Sequence, residues 1–251
     1  MSVVLPTAFD HPTAVAVRSK AFATVTAIAT LFAFVGFWPT YFGPILLGTL
    51  DARWLIHFHA AAQVSWLALF VIQIYFANTG RIDLHIRFGN WAMALSAVFL
   101  LVSLALSFDR FGRLVASGET ARGQRLLGGF LREIIIIGAW FIAGWVYRRK
   151  PQIHKRIMAV AVVMMIYPAI GRMKFLGDPP SSLAFMLVWP IPIYWMMLRE
   201  FAKSRTVHLV YVIAILSMLA MRLALSLFRT DTWMSISAWF VPFYQIPTMG
   251  N

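Results

Sequence analysis

Seven apolar runs, at about 21–38, 55–77, 90–108, 134–147, 157–171, 183–198 and 207–228, follow one another along the chain with mostly short polar joints between them. A bilayer core of roughly 30 Å is crossed by about 20 apolar residues in helical form. In that solvent only helices and closed barrels pair every backbone N–H and C=O. The sequence therefore predicts an all-α integral membrane protein, a seven-transmembrane-helix bundle forming a single polytopic domain over residues 1–251. With 61% hydrophobic and 12% charged residues, too little polar side chain is present to coat a soluble globule, and the runs leave no room for a separate soluble domain.

Arg18 and Lys20 precede the first run in the manner of a signal peptide, but the run is long and no small-x-small cleavage site follows, so it reads as a retained helix. The stretch from Trp233 to Pro247, WMSISAWFVPFYQIP, is aromatic and shorter than a span, which predicts a C-terminal interfacial or re-entrant segment. The 24 residues from Asp109 to Arg132 form the one long joint and read as an amphipathic piece lying on the surface.

A net charge of +13 fits contact with anionic lipid head groups, and in so apolar a chain it does not indicate nucleic acid. Basic loops are retained on the cytoplasmic face. Placing the N-terminus inside puts twelve Lys and Arg on that face (Arg18, Lys20, Arg81, Arg87, Arg148, Arg149, Lys150, Lys155, Arg156, Arg199, Lys203, Arg205) against nine outside, an N-in, C-out topology.

Cysteine is absent, so disulfides, thiolate metal sites and covalent haem attachment are excluded, and any metal must sit on N or O ligands. The histidines then fall into two layers. His57 and His59 start the second run from outside, and Glu133 opens the fourth at similar depth. These three are the candidate metal ligands, with Arg172 and Arg222 nearby and an ion pair of Glu133 with Arg222 or His59 expected. At 100° per residue His59, Gln63, Trp66, Phe70 and Gln73 form one stripe facing the bundle interior, while His57 points away.

At the inner end, RIDLHIRFGNWAMAL from Arg81 and KPQIHKRIMAVAVVM from Lys150 both place His two residues before Arg at the start of an apolar run. The third and fifth helices thus read as copies, with His208 at the same depth of the seventh. His85, His154 and His208, with Arg87 and Arg156, are the candidate cofactor-binding residues. Paired imidazoles serve as axial ligands of haem b and guanidiniums clamp its propionates, or the imidazoles hold a transition metal ion, Cu, Fe or Zn. Helical His and Arg at this depth also serve as interfacial anchors. The sixth run carries WPIPIYW, whose Pro190 and Pro192 remove backbone donors and force a break, and Tyr167–Pro168 predicts a second kink.

Several membrane classes are excluded by residues. No lysine lies within the apolar parts of the last two runs to carry a retinal Schiff base, and neither histidine boxes of the desaturase kind, H-E-x-x-H nor a Walker-type loop is present. What remains is a histidine-centred membrane redox or assembly protein, a subunit of a larger membrane complex or a small-molecule transporter, or an integral-membrane enzyme on a lipid or quinone.

The segments HFHAAAQVSWLALFVIQ (His57 to Gln73), GRIDLHIRFGNW (Gly80 to Trp91) and KPQIHKRIMAVA (Lys150 to Ala161) resemble a group of bacterial multi-spanning proteins of unassigned function. Looser similarity extends to multi-histidine membrane proteins of cytochrome oxidase assembly and to b561-type cytochromes. The resemblance covers the second to fifth helices and implies haem or copper handling through His59, His85 and His154, in a bacterial inner membrane.

Overall fold

A computed structural model describes residues 20–177 and 182–245; Arg18, Gln245's successors up to Pro247 and the rest of both termini lie outside them. The described residues form helices α1 (Lys20–Phe37), α2 (Gly43–Leu46), α3 (Trp54–Asn78), α4 (Ile82–Ala116), α5 (Thr120–Val146), α6 (Pro151–Met165), α7 (Tyr167–Ile170), α8 (Ser182–Val188), α9 (Ile191–Ser204), α10 (Leu209–Leu223) and α11 (Asp231–Ala238). Among the described residues six helical segments are long and apolar enough to cross a membrane: Lys20–Leu46, Trp54–Asn78, Ile82–Ala116, Thr120–Arg149, Pro151–Ile170 and Leu209–Arg229.

α6 is the central helix. Ile157 and every residue from Ala159 to Ile166 are buried, against α1, α5, α9 and α10. Its proline at the first helical position suits a site whose N–H needs no partner. The expected kink falls at Ile166, between α6 and α7, and the expected break falls at Trp189–Pro190, between α8 and α9. Trp189 is fully buried there and donates its indole N–H to the Val163 carbonyl at 2.8 Å, so a neighbouring helix supplies a polar partner next to the broken backbone. Split this way, the sixth run is two helices of 7 and 14 residues rather than one.

The predicted interior stripe of the second run is present on α3. Trp66, Phe70 and Gln73 are buried and His59 and Gln63 half-buried. Trp66 donates to Ser96 Oγ at 2.7 Å and packs on Phe70 and Phe141.

The surface loop expected from Asp109 to Arg132 does not exist. α4 runs for 35 residues, about 52 Å at 1.5 Å per residue, and joins α5 through Ser117–Glu119, where Gly118 takes a φ of 81° that favours glycine. The polar composition hid a helical hairpin longer than a bilayer is thick. Asp109 pairs with Arg113 one turn on and with Arg53 before α3 at 2.7 Å, and Arg122 pairs with Glu119. Phe111, Val115 and Leu127 form a second, smaller core inside the hairpin.

Onto this hairpin the C-terminal segment folds back. Thr230 caps α11, Trp233 donates to the Gln124 carbonyl at 2.8 Å, and the Gln124 amide donates to the Met234 carbonyl at 2.8 Å. Trp239 and Phe243 remain about 80% exposed.

Candidate functional site

The two ends of the bundle differ in chemistry. One end gathers the starts of α4, α6 and α10 with the last turns of α3, α5 and α9; it is called the histidine end. The other gathers the beginning of α5's apolar half, α7 and the last turns of α1 and α10, and is called the arginine end.

His85 is the fourth residue of α4 and His154 the fourth of α6. Their ring centroids lie 6.3 Å apart with the planes at 83°, so the structure brings these two predicted residues together from separate membrane helices. Each imidazole reaches back to the helix before its own. His154 Nδ1 lies 2.8 Å from the Gly144 carbonyl of α5, and His85 Nδ1 lies 3.2 Å from the Gln73 carbonyl of α3. The α3–α4 and α5–α6 hairpins therefore repeat one arrangement, as the His-x-Arg repeat in the sequence implies.

A carbonyl at Nδ1 fixes the His154 proton there and leaves Nε2 as the free lone pair, the state that metal-ligating imidazoles adopt. His85 has a choice. With its amide nitrogen toward α4, Gln73 donates to both His85 Nδ1 and the His85 carbonyl at 2.8 Å and accepts from the Gly89 N–H at 3.1 Å. Nδ1 of His85 thus has a donor and an acceptor within reach, both from Gln73, and can carry its proton on either nitrogen.

The remaining predicted residues of this end serve other partners. Arg156 makes a two-pronged pair with Glu200 of α9, Nε at 3.2 Å and Nη2 at 3.0 Å, and buried Tyr211 of α10 lies near the pair. Arg87 is exposed. His208 caps α10, its Nδ1 accepting from the Val210 N–H at 3.3 Å, so it does not repeat the His85 and His154 arrangement. Gln73, Gly144, Glu200 and Tyr211 were not among the sequence candidates. Glu200, a lone acid in a basic stretch, carried a visible signal; a backbone carbonyl such as that of Gly144 carries none.

The His208 cap requires a neutral ring. Burial, then the nearby Arg156 cation, holds its pKa below the usual histidine value, with Glu200 opposing. An unfolded chain therefore binds the proton first, and the stabilisation is complete above about pH 6.5 and is lost as pH falls through the lower folded value. Thermal unfolding in detergent between pH 8 and pH 5 is expected to show wild type losing about 1 kcal/mol more than His208→Asn, whose cap does not titrate. Equal pH slopes for the two proteins would remove His208 from this role.

At the arginine end the three predicted metal ligands part company. His57 Nδ1 contacts the Tyr41 hydroxyl at 3.1 Å, His59 Nδ1 the Ser103 hydroxyl at 3.4 Å, and Glu133 pairs with Arg132 at 3.2 Å. Arg172 donates to the Pro168 carbonyl at 2.7 Å and lies over the Phe37 ring at 4.8 Å. Arg222 lies over the Phe185 ring at 4.9 Å. Among the described residues no three His, Asp or Glu gather as a metal cluster. Compared with protein-family models, curated proteins and solved structures, the chain matches none.

Proposed function

We propose that this is a multi-pass bacterial inner-membrane protein whose His85–His154 pair holds a transition metal ion, or the iron of haem b, in membrane redox chemistry or its assembly. One observation carries the reading: two imidazoles from separate membrane helices stand 6.3 Å apart, each oriented through Nδ1 by the preceding helix. Interfacial anchors would have no need of such orientation. Metal–nitrogen bonds of about 2.0 Å from each ring are compatible with that spacing. A single ion, with water or substrate completing its coordination, suits the pair better than haem does. The guanidiniums a haem needs for its propionates are otherwise placed, Arg156 on Glu200 and Arg87 at the surface. The resemblance to oxidase-assembly and b561-type proteins points the same way, and a bound ion would supply Lewis-acid or one-electron chemistry at this end.

The test is elemental analysis and absorption spectroscopy of protein purified in mild detergent. About one copper, iron or zinc ion per chain supports the proposal, and a chain that stays metal-free and colourless after reconstitution with each salt and with haemin contradicts it.

The topology belongs to the same proposal: seven crossings, N-in and C-out, with α8 and α9 together making the sixth. Phe185 of α8 packs on Tyr167 at the arginine end, and Glu200 of α9 meets Arg156 at the histidine end, so the chain between them travels the depth of the bundle. Because the chain lacks cysteine, single cysteines report sidedness directly. An impermeant maleimide applied outside is expected to label Ser117→Cys and Ser235→Cys and spare Ser204→Cys. Six crossings would reverse the last two.

A further inference from the structure

The two hairpins that carry the histidines share an imidazole-to-carbonyl link and differ by one exchange of side chains. In α3–α4, Gln73 supplies the carbonyl to His85, and the residue one turn beyond His85 is Gly89. The space over that glycine is taken by the Gln73 side chain, whose amide end lies 3.5 Å from where a Cβ would stand. In α5–α6 the sizes are reversed. Gly144 supplies the carbonyl to His154, and the residue one turn beyond His154 is Met158, whose Sδ lies 2.6 Å from where a Gly144 Cβ would stand. Gly144 is buried and Met158 half-buried. The His154 imidazole and the Met158 sulfur thus rest on one glycine. Residues four apart are neighbours on a helix surface, and a long helical side chain leans toward the N-terminus, so the thioether lies back toward His154. The amide in the first hairpin orients its imidazole. A thioether is only a weak hydrogen-bond acceptor, and the chemistry that sets it apart is ligation of soft metals: it selects Cu(I), whereas imidazole suits Zn, Cu and Fe alike. As filler, leucine would serve there equally well, so the sulfur itself separates packing from ligation.

We propose that Met158 is a third donor of the His85–His154 site, its thioether joining the two imidazoles, and that the site takes cuprous copper. The assignment rests on the ion-site reading of that pair and adds to it the identity of the metal. Two imidazoles and a thioether are an uncharged donor set. A cuprous ion bound there leaves one positive charge at the membrane helix ends, where zinc would leave two, and uncompensated charge is costly in such surroundings. Gly144 belongs to the same device, because a Cβ on it would displace the sulfur, the movable part of its neighbour.

The experiment titrates the purified full-length protein in mild detergent without oxygen, with Cu(I) against a chromophoric cuprous chelator and separately with Zn(II) against a zinc chelator. X-ray absorption spectra are recorded on the copper-loaded samples. Met158→Leu, a volume-conserving exchange, is expected to weaken Cu(I) binding by about tenfold or more, to leave Zn(II) binding within about twofold, and to abolish a sulfur scatterer present in wild type. Gly144→Ala is expected to weaken Cu(I) binding in the same direction. Equal Cu(I) affinities in wild type and Met158→Leu, equal losses for both metals, or a copper spectrum whose sulfur is absent or survives the exchange overturns the assignment and leaves the two-imidazole site standing. A wild-type chain that binds neither metal overturns that site, and the role of Met158 with it. Should Met158→Leu fail to fold, the wild-type spectrum decides alone, sulfur at the copper supporting the assignment and its absence overturning it.

Discussion

His154→Ala and His85→Ala each lose more than about 100-fold in metal affinity, whereas Gln73→Leu loses about 10- to 100-fold. The ordering follows from what each residue does. A two-imidazole site deprived of either ring keeps a single imidazole among the residues brought together here, while Gln73 orients His85 through its carbonyl and amide without itself contacting the ion. Partners that orient a ligating histidine typically account for 10- to 100-fold in affinity. Folding is far less sensitive, because each histidine contributes one neutral hydrogen bond to the native state, about 1 kcal/mol. Titration of the apo-proteins with copper or zinc in a competing chelator gives the affinities, and unfolding midpoints show that the variants are folded. Equal affinities in wild type and both alanine variants would place any bound metal elsewhere.

Gly36→Val destabilises the bundle by about 3 kcal/mol or more, near the top of the range for overpacking a filled core. A Cβ at Gly36 would stand 2.3 Å from the Ala169 carbonyl oxygen and 2.7 Å from its Cα. The obstacle is backbone, which cannot rotate aside, so α1 must move away from α7. Small residues permit this kind of helix contact in membranes, where close van der Waals packing replaces the hydrophobic drive. Gly129 supplies the contrast. Nothing lies within 4 Å of its Cβ position, so Gly129→Ala is expected to raise stability by up to about 1 kcal/mol through helix propensity. Thermal or chemical unfolding in detergent reads both, and a Gly36→Val protein as stable as wild type would refute the packing described for α1 and α7.

The sequence announces those features that repeat or that chemistry forces. The His-x-Arg repeat marks two hairpins with the same imidazole-to-carbonyl link, and the tryptophan stripe of α3 follows from helical periodicity alone. Pro168, Pro190 and Pro192 lack backbone donors, so the kinks lie beside them wherever the helices pack. Hydropathy fails at α4 and α5 because it registers the apolar slab and not helix length. The hairpin beyond that slab is held by Asp109, Arg113 and a small core of Phe111, Val115 and Leu127. The candidate site shows the same division. His85 and His154 are readable as a pair, yet Arg156 turns to Glu200, 44 residues away, a distance over which no local pattern operates. The stripe that carries His59 and the depth of Glu133 are readable too, but the partners they take, the Ser103 hydroxyl for His59 and Arg132 for Glu133, are ones that periodicity does not pick out.

The central claim is that His85 and His154 hold one ion between them, and X-ray absorption spectroscopy of the copper- or zinc-loaded protein addresses it at the atoms concerned. Two imidazole nitrogens at about 2.0 Å from the metal, falling to one in either single alanine variant, is the result this account predicts. A spectrum with no imidazole scattering, or one unchanged by His85→Ala and His154→Ala, would contradict it.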